Sequence, residues 1–151
     1  MSAGPASAPA IELAGIHKVF SAGELEVHAL RGIDLRIERG EFVAIMGPSG
    51  SGKTTLMEIL GCLSRPTAGS YRLSGRRVEE IPPDGLAALR GEEIGFVFQS
   101  FNLLPRLSVV ENTELPLAYR GVSRPERRRR ALEVLERVGL AHRAEHLPGR
   151  I

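Results

Sequence analysis

Apolar and polar residues alternate with a period of two from residue 11 to residue 37. Ile11–Phe20 predicts a first strand, and Val27–Leu30 and Ile33–Ile37 predict two half-buried antiparallel strands separated by a glycine. Phe42–Met46 and Gly95–Phe98 are almost wholly apolar, which is typical of strands covered on both faces inside a sheet. We therefore expect the N-terminal two thirds of the chain to be built around a sheet.

The period then changes to that of helices. A helix is predicted over Thr54–Leu63, a short one over Gly85–Arg90, and two longer ones over Val109–Leu117 and Ser123–Val138. The last helix carries a capping-box pattern, Ser123 followed three residues later by Glu126. Its predicted buried stripe consists of Ala131, Val134, Leu135 and Val138. Strands followed by helices predict an α/β fold.

One loop carries a specific chemical signal. Residues 47–54 read Gly-Pro-Ser-Gly-Ser-Gly-Lys-Thr, the Gly-x-x-x-x-Gly-Lys-[Ser/Thr] pattern, placed between an apolar segment and an amphipathic helix. Glycines allow a bend in which successive N–H groups face a phosphate, Lys53 adds a positive charge, and Thr54 offers a hydroxyl to Mg²⁺. A flexible linker would explain the glycines and serines, but it would not explain the Lys-Thr pair at the start of a helix. A nucleoside triphosphate is the predicted ligand.

Composition narrows the possible functions. The chain has 151 residues, is 42% hydrophobic and carries a formal net charge of +2, so it is long enough for a real core and gives no case for nucleic acid as a partner. The basic run of Arg124 and Arg127–Arg130 begins an amphipathic helix and is predicted to be a solvated face, with a lipid or nucleic-acid patch as the alternative. Cys62, the single cysteine, lies in an apolar stretch and is expected to be buried. Residues 1–10 are predicted to be a disordered leader.

Several segments together resemble a known family. The chain resembles the nucleotide-binding subunit of ATP-binding-cassette (ABC) transporters, and is most similar to the bacterial group associated with macrolide export and lipoprotein release. The resemblance spans residues 11–151, and the matching segments are Val27–Leu35, Gly47–Thr55, Leu56–Leu63 and Gly95–Pro105. It implies a P-loop NTPase core of the ABC ATPase type, with a mixed sheet and an antiparallel β subdomain in residues 11–99. The start of a helical subdomain is expected in residues 100–151.

The resemblance also assigns site residues. Phe20 takes the place of the aromatic residue that stacks on adenine, although an aromatic residue that simply closes the sheet core is the alternative. Gln99 matches the glutamine that approaches Mg²⁺ and the attacking water, so Lys53 and Gln99 are the expected catalytic residues, with Thr54 and Gln99 serving the metal. The complete expected set for ATP is Phe20, Gly47, Pro48, Ser49, Gly50, Ser51, Gly52, Lys53, Thr54, Thr55 and Gln99.

Partners and location are likewise implied by the resemblance. Members of the family dimerise through their nucleotide-binding domains and act on a membrane permease, which places them in the cytoplasm on the inner face of the plasma membrane. The segment Ser100–Leu107 resembles the permease-docking surface, with internal packing as the alternative. A soluble cassette ATPase outside transport, and a nucleotide-binding fragment without hydrolysis, are the rival functions.

The family places further motifs after the position of Ile151. These are a Leu-Ser-Gly-Gly-Gln signature, the Walker B Asp and catalytic Glu, and a switch His. The sequence therefore looks like a cassette truncated at its C-terminal side. Because phosphoryl transfer depends on positioning and charge stabilisation, we expect binding of ATP from this chain and leave its hydrolysis by the chain alone open.

Overall fold

The computed structural model describes residues 8–23 and 25–150, so most of the predicted leader lies outside the described residues. The chain divides into two compact units, the first ending at Phe96 and the second beginning at Val97. Each unit has its own hydrophobic core.

The first unit contains a four-stranded antiparallel sheet with the order β2-β1-β3-β4. The strands are β1 (Ile11–Ala22), β2 (Leu25–Ile37), β3 (Ala68–Leu73) and β4 (Arg76–Arg77). The alternating pattern of residues 11–37 therefore does form antiparallel strands. The two strands predicted over Val27–Leu30 and Ile33–Ile37 are a single strand, β2.

Gly32, the glycine between the two predicted strands, explains why β2 continues without a break. The register steps from Ile16 opposite Ile33 to His17 opposite Arg31, which leaves Gly32 as an extra residue in β2. Its φ of +79° is the left-handed conformation that glycine adopts at such a bulge. A bulge bends and twists a strand without ending it, so the hairpin continues across the glycine.

Two helices pack on this sheet, α1 (Lys53–Leu60) and α2 (Pro83–Glu93). The core between them is formed by apolar side chains of β1, β2, β3 and both helices. The buried members with the least exposure are Ile16, Ile59 and Tyr71, each at 0%. A sheet that buries one face under helices is the expected outcome of the two periodicities in the sequence.

The C-terminal end of α1 is held by a buried tyrosine. The Tyr71 hydroxyl donates to the carbonyl oxygen of Leu60 over 2.7 Å, and the chain then turns at Cys62, a non-glycine residue with φ of +53°. Cys62 is buried, as predicted, and burial raises the pKa of its thiol. A raised thiol pKa disfavours the reactive thiolate, so Cys62 acts as a packing residue.

The predictions for two apolar segments were wrong. Neither Phe42–Met46 nor Gly95–Phe98 forms a strand, and Phe42 is 95% exposed. A central strand of a sheet is stable only with neighbouring strands on both edges and cover on both faces. The sheet of the described residues includes neither segment, so their apolar sequence is not matched by burial; Ile45 is an exception that packs on the core.

The second unit is helical, with α3 (Val109–Tyr119) and α4 (Arg124–Arg137) followed by short 3₁₀ turns. Its core consists of Val109, Val110, Ala131, Leu135 and Ala144. Half of the predicted stripe of α4 is therefore buried, whereas Val134 and Val138 are exposed. The neighbouring helix α3 buries a narrower strip of the α4 surface than the apolar pattern of the sequence predicted.

The capping box forms at a different helix from the one predicted. At α3 the Ser108 hydroxyl accepts from the Glu111 N–H, and the Glu111 carboxylate accepts from the Ser108 N–H over 2.7 Å. At α4 the Ser123 side chain makes no capping hydrogen bond. The Glu126 carboxylate instead accepts from Arg129 and Arg130, which lowers the pKa of Glu126 to about 2.

Asn112 fixes the segment that leads into α3. Its side-chain amide nitrogen lies 3.0 to 3.1 Å from the carbonyl oxygens of Leu104, Leu107 and Ser108, which share its two N–H donors, and its oxygen accepts from the Leu104 N–H over 2.8 Å. One side chain thus bonds to several backbone groups in a segment without regular structure. The segment from Leu104 to Ser108 is consequently tied to the first turn of α3.

Glu114 joins α3 to α4 through a buried ion pair. The residue is 6% exposed, and its carboxylate accepts from Arg127 over 3.0 Å and from Arg128 over 3.3 Å. Arg128 also pairs with Glu145. Two members of the basic run predicted to be a solvated face are therefore structural. Removing one partner of a buried ion pair leaves the charge of the other partner buried and unpaired, which destabilises the fold.

We expect Glu114→Gln to destabilise the second unit by about 2 kcal/mol, because two arginines lose a shared buried carboxylate. Urea unfolding followed by the helical circular dichroism signal measures this. Glu133→Gln is the matched control, since Glu133 pairs with Arg129 on the exposed face of α4, and it should change stability by less than about 0.5 kcal/mol. Equal effects of the two substitutions would contradict the structural role of Glu114.

Candidate functional site: the loop before helix α1

The glycine-rich loop 47–54 leads directly into α1, whose first residue is Lys53. Gly50 and Gly52 have φ of +78° and +88°, so the bend uses backbone conformations that other residues rarely adopt. The Ser51 N–H donates to the Pro48 carbonyl oxygen over 3.3 Å and closes the turn. The predicted left-handed bend of the loop is therefore present.

Gly52 is required for a second reason, which is its closeness to β2. A Cβ atom at Gly52 would lie 2.5 Å from the Ala29 carbonyl oxygen and 2.9 Å from Cδ2 of Leu30. Both distances are shorter than van der Waals contact, and the carbonyl belongs to the backbone of a paired strand. The start of α1 therefore rests directly on β2, which fixes the loop relative to the sheet.

The Lys53 side chain folds back over the loop. Its Nζ donates to the Gly47 carbonyl oxygen over 2.8 Å and to the Pro48 carbonyl oxygen over 2.6 Å. An ammonium group has three N–H donors, so these two bonds leave one for an anion. The geometry places a positive charge at the entrance of the loop, as the sequence predicted.

The N-terminal end of α1 lacks any protein group that would neutralise it. Its N-cap is Gly52, no side chain caps it, and its first turn contains no acidic residue. Among the described residues, none accepts a hydrogen bond from the backbone N–H of Gly50, Gly52, Lys53, Thr54 or Thr55. These free donors and the helix dipole favour an anion at this end of the helix.

Hydroxyl groups surround the same turn. Ser49, Ser51 and Thr54 are exposed and Thr55 is half-buried. No described residue forms a hydrogen bond with the Thr54 hydroxyl, so this oxygen is accessible to a ligand. A hard oxygen donor beside a phosphate site is the kind of ligand that Mg²⁺ prefers. The residues therefore fit a magnesium-bound polyphosphate.

A cavity beside the loop has a cationic wall. It has a volume of about 350 Å³, borders the bend at Gly50 and Ser51, and is lined by Arg31 of β2, while its lining includes no acidic residue. The Arg31 guanidinium adds positive charge on this side of the loop.

Phe20 lies on the sheet face that supports the loop. It pairs with Val27, and two residues earlier Lys18 pairs with Leu30, the residue that contacts the position of Gly52. Directly opposed residues share a face, as do residues two apart along a strand. Phe20 is 45% exposed, which favours an open ring over the alternative of a core-closing residue.

The Phe20 ring has a cation on one face, which the sequence analysis missed. Nζ of Lys18 lies 5.1 Å from the ring centroid. The signal was present, since a lysine two residues before an aromatic residue in a strand lies on the same face.

Gln99 belongs to the second unit. It lies in an exposed segment without regular secondary structure, beside Ser100, whose hydroxyl contacts the Asn102 side-chain oxygen over 3.2 Å. Its role toward magnesium and water stays a prediction.

The geometry of the loop defines the class of protein to which the chain belongs. A left-handed glycine bend, a lysine folded over it and an uncapped helix start together define a P-loop nucleotide-binding protein. The sequence pattern of the family described as "ABC transporter" matches residues 30–150, which is most of the chain. The chain belongs to the ABC transporter family.

Similar proteins agree with this assignment. The chain is 52% identical over 143 residues to "Macrolide export ATP-binding/permease protein MacB" of Sodalis glossinidius, covering 95% of this chain and 22% of that protein. It is 51% identical over 141 residues to "Uncharacterized ABC transporter ATP-binding protein" of Thermotoga maritima, covering 93% of this chain and 60% of that protein. The chain therefore spans about a fifth of MacB and three fifths of the Thermotoga protein.

A solved structure confirms the fold class. The structure described as "Dimeric structure of a post-hydrolysis state of the ATP-binding cassette MJ0796 bound to ADP and Pi" superposes with a TM-score of 0.83 at 43% identity, covering 93% of this chain and 62% of that chain. The predicted ABC ATPase fold is therefore correct. The resemblance to the macrolide-export group is confirmed as well.

The requirement for glycine at position 52 can be tested by comparing alanine substitutions at Gly52 and Gly50. Gly52→Ala should destabilise the first unit by about 2 to 5 kcal/mol, because it adds both a left-handed penalty and a clash with the Ala29 carbonyl. Gly50→Ala is the matched control, with a similar φ and no atom within 4 Å of its Cβ, and should cost about 1 to 2 kcal/mol. Urea unfolding of both variants measures the difference. Equal losses would show that the contact with β2 adds nothing.

Proposed function

We propose that the chain is the ATP-binding part of an ABC transporter of the export or lipoprotein-release group, which couples ATP binding and hydrolysis to transport through a membrane permease. One observation carries the proposal. The Lys53 ammonium lies over the loop carbonyls of Gly47 and Pro48, above a helix end with free N–H donors. A triphosphate is the ligand that matches this concentration of positive charge.

Each group of the loop has a distinct task in the proposed mechanism. The free N–H groups of Gly50 and of residues 52–55 hold the oxygens of the β and γ phosphates in fixed positions, and Lys53 neutralises the charge that develops as the γ phosphate leaves. Phe20 stacks on adenine and sets the register of the nucleotide along the loop. Thr54 and Gln99 would hold Mg²⁺, which would supply neutralisation of the phosphate charge.

The permease, the dimer and the location are parts of the same proposal. Two kinds of comparison support them, because relatives are named ATP-binding/permease proteins and the MJ0796 cassette is described as dimeric. Phe101 and Leu103 are exposed apolar residues in the segment predicted to dock a permease. Within the described residues, no helix combines the length and the apolar character that crossing a bilayer requires. The proposed location is the cytoplasmic face of the membrane, through the permease.

Lys53→Met should weaken binding of Mg-ATP at least tenfold, because it removes the charge that faces the triphosphate. Isothermal titration calorimetry of the purified chain measures the affinity. Arg76→Met is the matched control, since it removes an exposed cation from β4, at the sheet edge opposite β2, and should change the affinity less than twofold. Unaltered binding by Lys53→Met would contradict the proposed site.

Thr54→Val should reduce the contribution of Mg²⁺ to ATP affinity, because it replaces the hydroxyl by a methyl group of the same size. ATP affinity is measured with Mg²⁺ and with EDTA. The gain that Mg²⁺ provides should fall at least fivefold in the variant, while affinity in EDTA should stay within twofold. A full magnesium effect in Thr54→Val would remove this residue from the metal site.

A further inference from the structure

We propose that Lys18 is a positioning residue for the base of the nucleotide, holding Phe20 so that only one face of its ring is open for stacking. The inference rests on the proposed function, because it concerns the adenine end of the same site. It adds a cation that neither the loop motif nor the expected set of ATP-binding residues contains.

The contact between the two side chains is direct. Nζ of Lys18 lies over the Phe20 ring at 5.1 Å from its centroid, within the range of a cation–π interaction. Lys18 is half-buried, whereas Phe20 remains 45% exposed. One face of the ring is therefore covered by the ammonium, and the exposed area must belong to the rest of the ring.

The ammonium is itself anchored. Lys18 Nζ donates to the carbonyl oxygen of Arg65 over 2.8 Å, so its position does not depend on the ring alone. A lysine held at both its backbone and its tip has lost most of its rotamer freedom in the free protein. Little further ordering is needed when a base stacks on Phe20.

The anchoring segment is also fixed. The Thr67 N–H donates to the His17 carbonyl oxygen over 2.8 Å, and the Val19 N–H donates to the Thr67 hydroxyl over 3.0 Å. The Arg65 guanidinium donates to the carbonyl oxygen of Ile81. The turn 65–67 is thus bonded to β1 on both sides of Lys18, and it presents a carbonyl at a fixed place beneath the ammonium.

This arrangement has two effects on stacking. The ammonium blocks one face of Phe20, so a base has a single geometry in which to stack. The cation also draws the π electrons of the ring toward itself, which strengthens stacking of an electron-rich base such as adenine on the opposite face. Phenylalanine lacks a hydroxyl that could be tied by a hydrogen bond, so the cation supplies the restraint on the ring.

Helix α1 connects this restraint to the phosphate loop. The helix begins at Lys53 and ends at Leu60, a few residues before the turn that holds Lys18. Lys18 also pairs with Leu30, which contacts the position of Gly52, so the strands β1 and β2 link the restraint on Phe20 to the start of the helix as well.

The test compares ATP with inorganic tripolyphosphate, both bound with Mg²⁺, in titrations of the purified chain. Lys18→Met should weaken ATP binding roughly three- to tenfold and leave tripolyphosphate binding unchanged, because the phosphate end of the site is intact. Lys18→Arg should restore ATP affinity to within about twofold, since a guanidinium also stacks over an aromatic ring. Phe20→Ala should abolish the preference for ATP over tripolyphosphate.

The outcomes separate the inference from the proposed function. Tripolyphosphate binding by each variant shows that its phosphate loop is folded. If Lys18→Met leaves the ratio of ATP to tripolyphosphate affinity unchanged, whether neither affinity falls or both fall equally, the role of Lys18 is overturned. Phe20→Ala shows independently whether the base contributes to ATP affinity. Failure of the unaltered chain to bind either ligand would overturn the proposed function and this inference with it.

Discussion

The close contact between Gly52 and the backbone of β2 is the constraint on which the site depends. It places the start of α1 against the Ala29 carbonyl, at a distance that no residue with a Cβ atom tolerates. Because β2 is paired along its length with β1, the start of the helix is held against a hydrogen-bonded hairpin. This contact positions the loop and its free N–H donors relative to the hairpin that carries Phe20.

The same contact explains why the helix start is electrostatically incomplete. In an ordinary helix, a serine or aspartate N-cap satisfies one of the free N–H groups and stabilises the helix by about 1 kcal/mol. Gly52, which the contact with β2 requires, provides neither a cap nor a charge. The start of α1 is thus less stable than a capped helix start, and the unsatisfied donors are available to a ligand. Stability and binding compete for the same backbone groups at this position.

The sequence predicted those features that depend on local chemistry. The glycine bend, the lysine over it, the hairpin and the helices follow from residue types and periodicity, and the structure contains them. Features that need a distant partner were predicted less well. Phe42–Met46 has the composition of a buried strand, yet strands require neighbours that the described sheet does not provide. Ser123 and Glu126 match a capping box, but Arg129 and Arg130 compete for the carboxylate. The spacing of Lys18 and Phe20 along the strand places them on one face, but the anchor of Lys18, the carbonyl of Arg65, is remote in sequence and follows from no local pattern.

Asn112 gives the second unit a mechanical property. Its hydrogen bonds to backbone groups of Leu104, Leu107 and Ser108 tie the residues leading into α3 to the first turn of that helix. The carboxylate of Glu114 in turn ties α3 to α4. We therefore expect the segment 104–108, α3 and α4 to move together when the exposed residues just before Leu104 are displaced.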